Sequence, residues 1–440
     1  MEGIMSAMNK SYAGTGEHTG SLYAATANPS PERPALVGHQ EADVCVIGAG
    51  FTGLSTALHL AEKGYSVAII EGARVGWGAS GRNGGQIVNG LNASLKKIGG
   101  QFGEDTARFV ASLVTEGGDI IRERAATYAI DCDLKKGNIL AAITPADMRE
   151  LEARQKLWER YGITCQDILD RDGIRQHIKT DRYIGGQVDH KGGHIHPLNL
   201  ALGEAAAIER LGGTIYEMSP VTSVDTTAAR PVVQTATGQM TCKTLVICGN
   251  AYLGGVVPTL TWRVMPVTTQ IMATRPLGEE LANRLLPTDH CVEDIRYIPD
   301  YYRLSADKRL LIGGGSVYGG TSDLNIQNKL SRNLYKIFPE LKDIQIDYSW
   351  SGNFALSFTR VPQMGRINDN TYFAHGYSGH GVTGTHTFGR ILSEAIDGDL
   401  KRFDVFAGLP WYPFPGGRTF RVPYSVIGSW WYGLRDKLGV

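Results

Sequence analysis

The chain has 440 residues, with 44 basic and 44 acidic side chains, so its formal net charge is zero. That length allows two or three domains with large cores. The charge balance excludes the basic excess or basic block of a nucleic-acid binder, and a hydrophobic share of 42% excludes wholesale disorder.

Glycine is the outlying count, 55 of 440 residues, against roughly 7% in ordinary chains. Many sit in short clusters at 48–53, 76–85, 313–315 and 376–381. Glycine lets backbone N–H groups approach a ligand closely, so the pattern points to a large phosphate-bearing cofactor touched by several loops. No run of 18 apolar residues occurs, so no transmembrane helix is expected. The start of the chain lacks the apolar core of a signal peptide. The six cysteines show no metal-ligand spacing and read as free thiols in a reducing cytoplasm.

In chain order, residues 1–40 read as an arm whose stretch 21–29 docks on the body. Residues 42–47 form a short β-branched run, read as a buried strand. Gly48-Ala49-Gly50-Phe51-Thr52-Gly53 follows, then helical spacing over 54–63 ended by Gly64, then a strand over 65–70 closed by Glu71. This strand–turn–helix–strand setting is what the dinucleotide fingerprint requires. Gly48 makes the turn, Gly50 admits the pyrophosphate and Gly53 allows close helix–strand packing. The helix start faces phosphate charge. Glu71 is placed to accept ribose hydroxyls, and its charge disfavours a 2′-phosphate.

A long glycine-rich loop comes next, in place of the helix usual in an NAD enzyme. Gly72, Ala73, Arg74, Gly78, Ala79, Ser80, Arg82, Asn83, Gly84, Gly85 and Gln86 are assigned to the cofactor, with Arg82, Asn83 and Gln86 as donors near a flavin ring. Helices are expected over 104–130, 145–161 and 197–210, and strands over 213–218, 221–224, 245–248, 263–275 and 309–318. The last helix spans 382–396. It follows Tyr377-Ser-Gly379-His380-Gly381-Val382-Thr383, whose N–H groups face an anion such as a reduced flavin. Residues 401–440 read as an aromatic tail, with Trp430, Trp431 and Tyr432 beside Arg435 and Lys437 docking on the protein rather than on a membrane.

The fingerprint, the loop after Glu71 and the 376–382 cluster together resemble the D-amino-acid oxidase/sarcosine oxidase family of flavoenzymes. Segments 78–86, 189–200, 249–254, 300–304, 376–382 and 413–418 carry the likeness. The resemblance implies an α/β fold with a Rossmann-like FAD-binding domain built from 41–90, 196–252 and 361–400. A discontinuous substrate domain with a mixed or antiparallel sheet would come from 91–195 and 253–360. It further implies that Val221 meets the adenine and that Gly249, Asn250 and Ala251 lie near the pyrophosphate or ribitol. In the sarcosine oxidase branch a C-terminal cysteine bonds the flavin covalently. No cysteine follows Cys291 here, so FAD is expected to be non-covalent. That branch also carries an oxygen-activating lysine, for which 313–320 offers no counterpart.

The implied chemistry is oxidation of an amine C–N bond, with oxygen or another acceptor taking the electrons. The expected substrate is gamma-glutamylputrescine, used in polyamine breakdown. The alternatives are a secondary or cyclic amino acid such as L-pipecolate, or a role as an FAD-binding electron-transfer subunit. His380, Tyr302 and Arg303 are the candidate catalytic residues, Arg303 as a clamp for a substrate carboxylate. Trp350, Phe354 and Phe358 are candidates to line an apolar cavity. His190, His194 and His196 suggest a metal at first sight but lack a fourth ligand, and His194 and His196 read instead as backbone supports.

Overall fold

The computed structural model describes residues 16–317, 323–414, 423, 426 and 427. The aromatic tail from 428 on and most of the 413–418 segment lie outside the described residues.

Two sheets organise the chain. The first runs Gln363–Asn368, Thr371–His375, Gly238–Ile247, Gly38–Ile47, Val67–Ile70, Thr214–Tyr216. The four pairings from Thr371–His375 to Thr214–Tyr216 are parallel. Side chains alternate across a strand, and here both faces are covered. Val44, Val46 and Ile69 enter a core shared with the helices Phe51–Glu62, Pro197–Arg210 and Gly381–Ile396. Cys45, Ile47 and Ile70 enter a second core on the other side. Burial on both faces explains the continuous apolar run that the sequence shows at 42–47. The strand begins earlier than that run, at Gly38, because its polar first half pairs with Gly238–Thr241.

The second sheet runs Ile346–Ser357, Val264–Thr274, Leu310–Val317, Asp300–Leu304, Cys291–Asp294, Lys135–Ala142, Gly185–His194, Gln86–Ile87. All these pairings are antiparallel except that of Cys291–Asp294 with Lys135–Ala142. Its far face packs Ile139, Val292, Tyr302 and Ile312 against the helices Glu279–Leu285 and Asp323–Ile337.

Three expectations need correction. The helical pattern at 104–130 is two helices, Glu104–Ser112 and Glu116–Thr127. The second approaches Thr383 so closely that a Cβ on Gly117 would stand 2.1 Å from its carbonyl oxygen. Residues 95–127 pack into the core of the first sheet, through Ile98, Val110 and Ile121, while Arg122 and Asp119 also reach Lys191 on the second sheet. The region from 401 on is not all tail, since Lys401–Ala407 is a helix that buries Phe403 and Phe406 in that same core.

The arm does dock. Ser21 caps the short helix Leu22–Ala25, and Leu22 and Tyr23 are buried with Leu198, Ile271 and Trp350. Deeper inside, a buried polar network ties four helices. Arg124 donates to Glu204 at 2.7 Å and to the Ser55 carbonyl at 3.1 Å, and His386 Nε2 lies 3.1 Å from the same Glu204 oxygen. Burial pushes the Glu204 carboxyl up, but His386 and Arg124 outweigh it and hold the group below its ordinary range.

Candidate active site

The fingerprint glycines act through their backbones. Gly48 sits at φ +103°, a conformation that L side chains rarely adopt. A Cβ on Gly53 would stand 2.0 Å from the Gly48 carbonyl oxygen, so only glycine lets this helix lie so close to the turn. The N-cap of Phe51–Glu62 is Gly50, which offers no capping side chain. The Phe51 N–H donates to the Ser80 hydroxyl of the following loop at 2.9 Å, and the rest of the first turn opens on a cavity lined by Gly48, Gly50, Phe51, Thr52, Glu71 and Gly72. Glu71 takes the Ala49 N–H at 2.7 Å and the Ala73 N–H at 2.9 Å, one on each oxygen. This fixes the carboxylate at the end of its strand with lone pairs left for a ligand.

The same cavity continues along Gly78, Ala79, Ser80 and Asn83 of the loop, past Val221, Gly249 and Asn250, to Tyr377, Gly379, Gly381 and Val382. Cross-links hold these distant segments together. Thr52 Oγ1 donates to the Tyr377 hydroxyl at 2.9 Å, and the Gly376 N–H donates to Asn250 Oδ1 at 3.0 Å. The helix Gly381–Ile396 has no side-chain cap either. Two helix starts on one cavity whose N-cap residues make no side-chain cap, a fixed carboxylate and turns without Cβ atoms fit a dinucleotide with a flavin at its far end. Trp77, Tyr252, Leu253, Phe354 and Ser378 also line the cavity. The sequence reading did not assign Trp77, Tyr252, Leu253 or Ser378 to it, and placed Phe354 only among candidate cavity aromatics.

Several assigned cofactor residues do other work. The Arg74 guanidinium pairs with Glu217 and Glu17. Ala49 and Ala73 serve Glu71, Gly85 packs on the Ile195 carbonyl, and Ala251 sits in a small core with Val264 and Ala355. Asn83 spends its amide inside the loop, donating to Ala79 and Ser80 and accepting from Gly85. Gln86 donates to the Val292 carbonyl at 3.0 Å, bracing the second sheet. Arg82 donates through Nε to the Trp77 carbonyl, its guanidinium 4.3 Å from the Trp77 ring centroid.

A second chamber opens from the cavity and shares Ala79, Asn83, Phe354, Ser378, Gly379 and Val382 with it. Its walls bring together Arg82, Gly84, Gln86, His380 and Thr383 with Asn92, Thr269, Glu293, Tyr297, Tyr301 and Arg360. His380 Nδ1 lies 3.2 Å from the Asn92 amide. Burial, with Arg154 and Arg360 nearby, pulls its imidazole down to about 4, so it is neutral at pH 7. Arg360, at φ +69°, donates to the Tyr297 hydroxyl and to Asn92 Oδ1. Burial and Arg360 together pull the nearby Lys97 ammonium down. The Tyr301 ring lies so near Gly84 and Gly313 that a Cβ on either would clash with it.

Two catalytic candidates are corrected. Tyr302 faces away from the chamber, buried in the far-face core with its hydroxyl on Tyr183. Strand alternation gives the chamber Tyr301 instead. Arg303 is 2% exposed, and its donors go to the carbonyls of Gly84, Leu304 and Ile195 and to the Tyr23 hydroxyl. It braces the loop and is not free to clamp a substrate. Trp350 likewise supports the loop, donating to the Arg82 carbonyl, while Phe358 is exposed and packs on Phe414. His196 caps the helix Pro197–Arg210, and His194 bonds the Asp289 carbonyl. Residues 313–320 hold no lysine, yet Lys329 brings its ammonium beside Gly315.

Comparison with known proteins agrees with this geometry. Residues 43–395 match the family model described as DAO, FAD dependent oxidoreductase. The chain is 51% identical over 425 residues to gamma-glutamylputrescine oxidoreductase of Escherichia coli (strain K12), covering 96% of this chain and 100% of that one. It is 40% identical to a probable oxidoreductase of Haemophilus influenzae, over 96% and 98%. Glycine oxidase from Bacillus cereus shares the fold, with TM-score 0.69 at 22% identity over 83% and 97%. So does L-alpha-glycerophosphate oxidase from Mycoplasma pneumoniae, solved with FAD bound, with TM-score 0.67 at 15% identity over 86% and 97%. The chain therefore belongs to the DAO family of FAD-dependent oxidoreductases.

Proposed function

We propose that this protein oxidises gamma-glutamylputrescine at its free amine end, giving an imine that water hydrolyses to an aldehyde and ammonia. The observation that carries this reading is the chamber joined to the cofactor cavity, lined by the basic groups Arg82 and Arg360 and the carboxylate of Glu293. Such a lining suits a ligand bearing both a carboxylate and an amine. The name of the Escherichia coli relative, matched along its whole length, supports the same substrate.

The chain's own residues do the following. Bound FAD supplies the acceptor for a hydride from the amine's α-carbon. Gly48, Gly50 and the first turn of Phe51–Glu62 hold the pyrophosphate, and Glu71 holds the ribose. The start of Gly381–Ile396 faces the negative charge that accumulates at the flavin end. Arg360, whose side-chain hydrogen bonds among the described residues go to Tyr297 and Asn92 and to no carboxylate, receives the γ-glutamyl carboxylate. Oxygen is the proposed electron acceptor, giving hydrogen peroxide. FAD is held without a covalent bond, since no cysteine follows Cys291. All six cysteines are free thiols, which suits a cytoplasmic enzyme.

The test is turnover across a panel. Gamma-glutamylputrescine is expected to exceed putrescine, N-acetylputrescine, sarcosine and L-pipecolate in kcat/KM. Arg360→Ala is expected to raise KM for gamma-glutamylputrescine about 10–100-fold, the size of a lost charge-assisted contact, with little change for N-acetylputrescine. L-pipecolate as the preferred substrate would move the protein to amino-acid oxidation.

A further inference from the structure

An alkylammonium has no lone pair with which to expel a hydride, so the bound amine must lose a proton before its carbon is oxidised. Free primary amines ionise near pH ~10, so at neutral pH nearly all of the substrate arrives as the ammonium. A proton acceptor on the chamber wall removes that proton where the oxidation takes place. We propose that Glu293 is that acceptor: its carboxylate takes one proton from the substrate ammonium, leaving a neutral amine and a neutral carboxylic acid. The step moves one proton and no electrons. It rests on the amine-oxidation reading above.

The geometry singles Glu293 out. It lies on Cys291–Asp294, directly across the strand pair from Tyr301, and both side chains line the chamber. The Tyr301 ring in turn touches Gly84 of the flavin-side loop. Its neighbour Asp294 is occupied by Arg296 through both oxygens, whereas Glu293 has no hydrogen bond or ion pair among the described residues and is left for a ligand.

The other titratable groups on the wall do not serve. Arg82 and Arg360 are permanently charged donors, and the Tyr297 hydroxyl already accepts from Arg360. Burial pushes the Tyr301 hydroxyl well above its ordinary range. His380 is held neutral by burial and by the repulsion of Arg154 and Arg360, which resist its protonation. Around Glu293, Arg154 from the helix Pro145–Arg160 favours the carboxylate and Asp294 on its own strand disfavours it. Burial dominates both and raises the carboxyl to about 7. An acceptor with that value is ionised at mildly alkaline pH and still basic enough to take a proton.

The test uses the FAD-loaded enzyme and Glu293→Gln, with flavin absorbance and thermal unfolding as checks on folding. In wild type, anaerobic flavin bleaching by gamma-glutamylputrescine should rise with pH through about 7 and then level. In Glu293→Gln it should fall about 100-fold or more at pH 7 and keep climbing toward the amine's own pKa. Glu293→Asp should restore part of the rate.

A second readout needs no turnover. The γ-glutamyl amide of a diamine with two methyl groups on its amine-bearing carbon has no α-hydrogen and cannot be oxidised. At pH 8 in weak buffer, its binding should release almost no proton in wild type and about one in Glu293→Gln. A bleaching profile unchanged by Glu293→Gln, a loss equal at every pH, or an unchanged proton count would overturn the proposal. Wild-type flavin left oxidised by every amine would instead overturn the functional reading, with the proton count still deciding the role of Glu293.

Discussion

At Gly53 one methyl group is too many. The Cβ of Gly53→Ala would stand 2.0 Å from the Gly48 carbonyl oxygen, and backbone, not a flexible side chain, would have to yield. Overpacking of this kind costs about 1–3 kcal/mol. We expect Gly53→Ala to lower Tm and to weaken FAD binding about tenfold or more, read by flavin fluorescence on titration. Arg303→Ala should act through the loop as well. It strips partners from the Gly84 and Ile195 carbonyls, at about 1–3 kcal/mol for each buried group left unpaired. Flavin loading and Tm should fall, while KM for the amine in the loaded fraction stays close to wild type. A large KM rise with full loading would restore Arg303 as a substrate clamp. The residue scale also shows what sequence spacing can carry. The fingerprint glycines were legible because their function is backbone geometry set within six consecutive positions. Tyr302 was misplaced because the register of Asp300–Leu304 is set by its sheet partners, and a shift of one residue exchanges Tyr301 for Tyr302 at the wall.

At the scale of elements, the helices Glu116–Thr127, Pro197–Arg210 and Gly381–Ile396 meet through Arg124, Glu204 and His386, all at most 3% exposed. Removing one member strands a buried charge, which costs about 3–5 kcal/mol. Arg124→Met should lower Tm by several degrees, whereas an exposed pair such as Lys63–Asp397 should give little. The network also sets a pH dependence. The folded Glu204 carboxyl is held below its unfolded value. Its contribution is therefore full above the ordinary carboxylate range and is lost as pH falls through the lower folded value. Denaturation curves on the acid side should show a shallower loss in Glu204→Gln than in wild type. No sequence signal pointed to this network, since its residues are about 80 or more positions apart and single buried charges look like surface charges until the helices are packed.

At the scale of the whole molecule, a parallel sheet with helices on one side supplies the cofactor cavity, and an antiparallel sheet lays the chamber over its far end. The first half was readable because each piece carries a local signature: strand, glycine turn, uncapped helix. The chamber was not. Glu293, Tyr301, Thr269 and Arg360 come from separate strands and a turn, and only sheet register brings them to one wall. One consequence concerns the whole holoprotein. Acid precipitation should leave the yellow flavin in the supernatant, whereas flavin retained in the pellet would reveal a covalent bond.

The most direct test of the account is an anaerobic titration of the purified yellow protein with gamma-glutamylputrescine, followed in the visible spectrum. The account predicts complete bleaching by about one equivalent, with little or none from putrescine or L-pipecolate at the same concentration. Flavin that stays oxidised with gamma-glutamylputrescine, or that bleaches equally with putrescine, would contradict it.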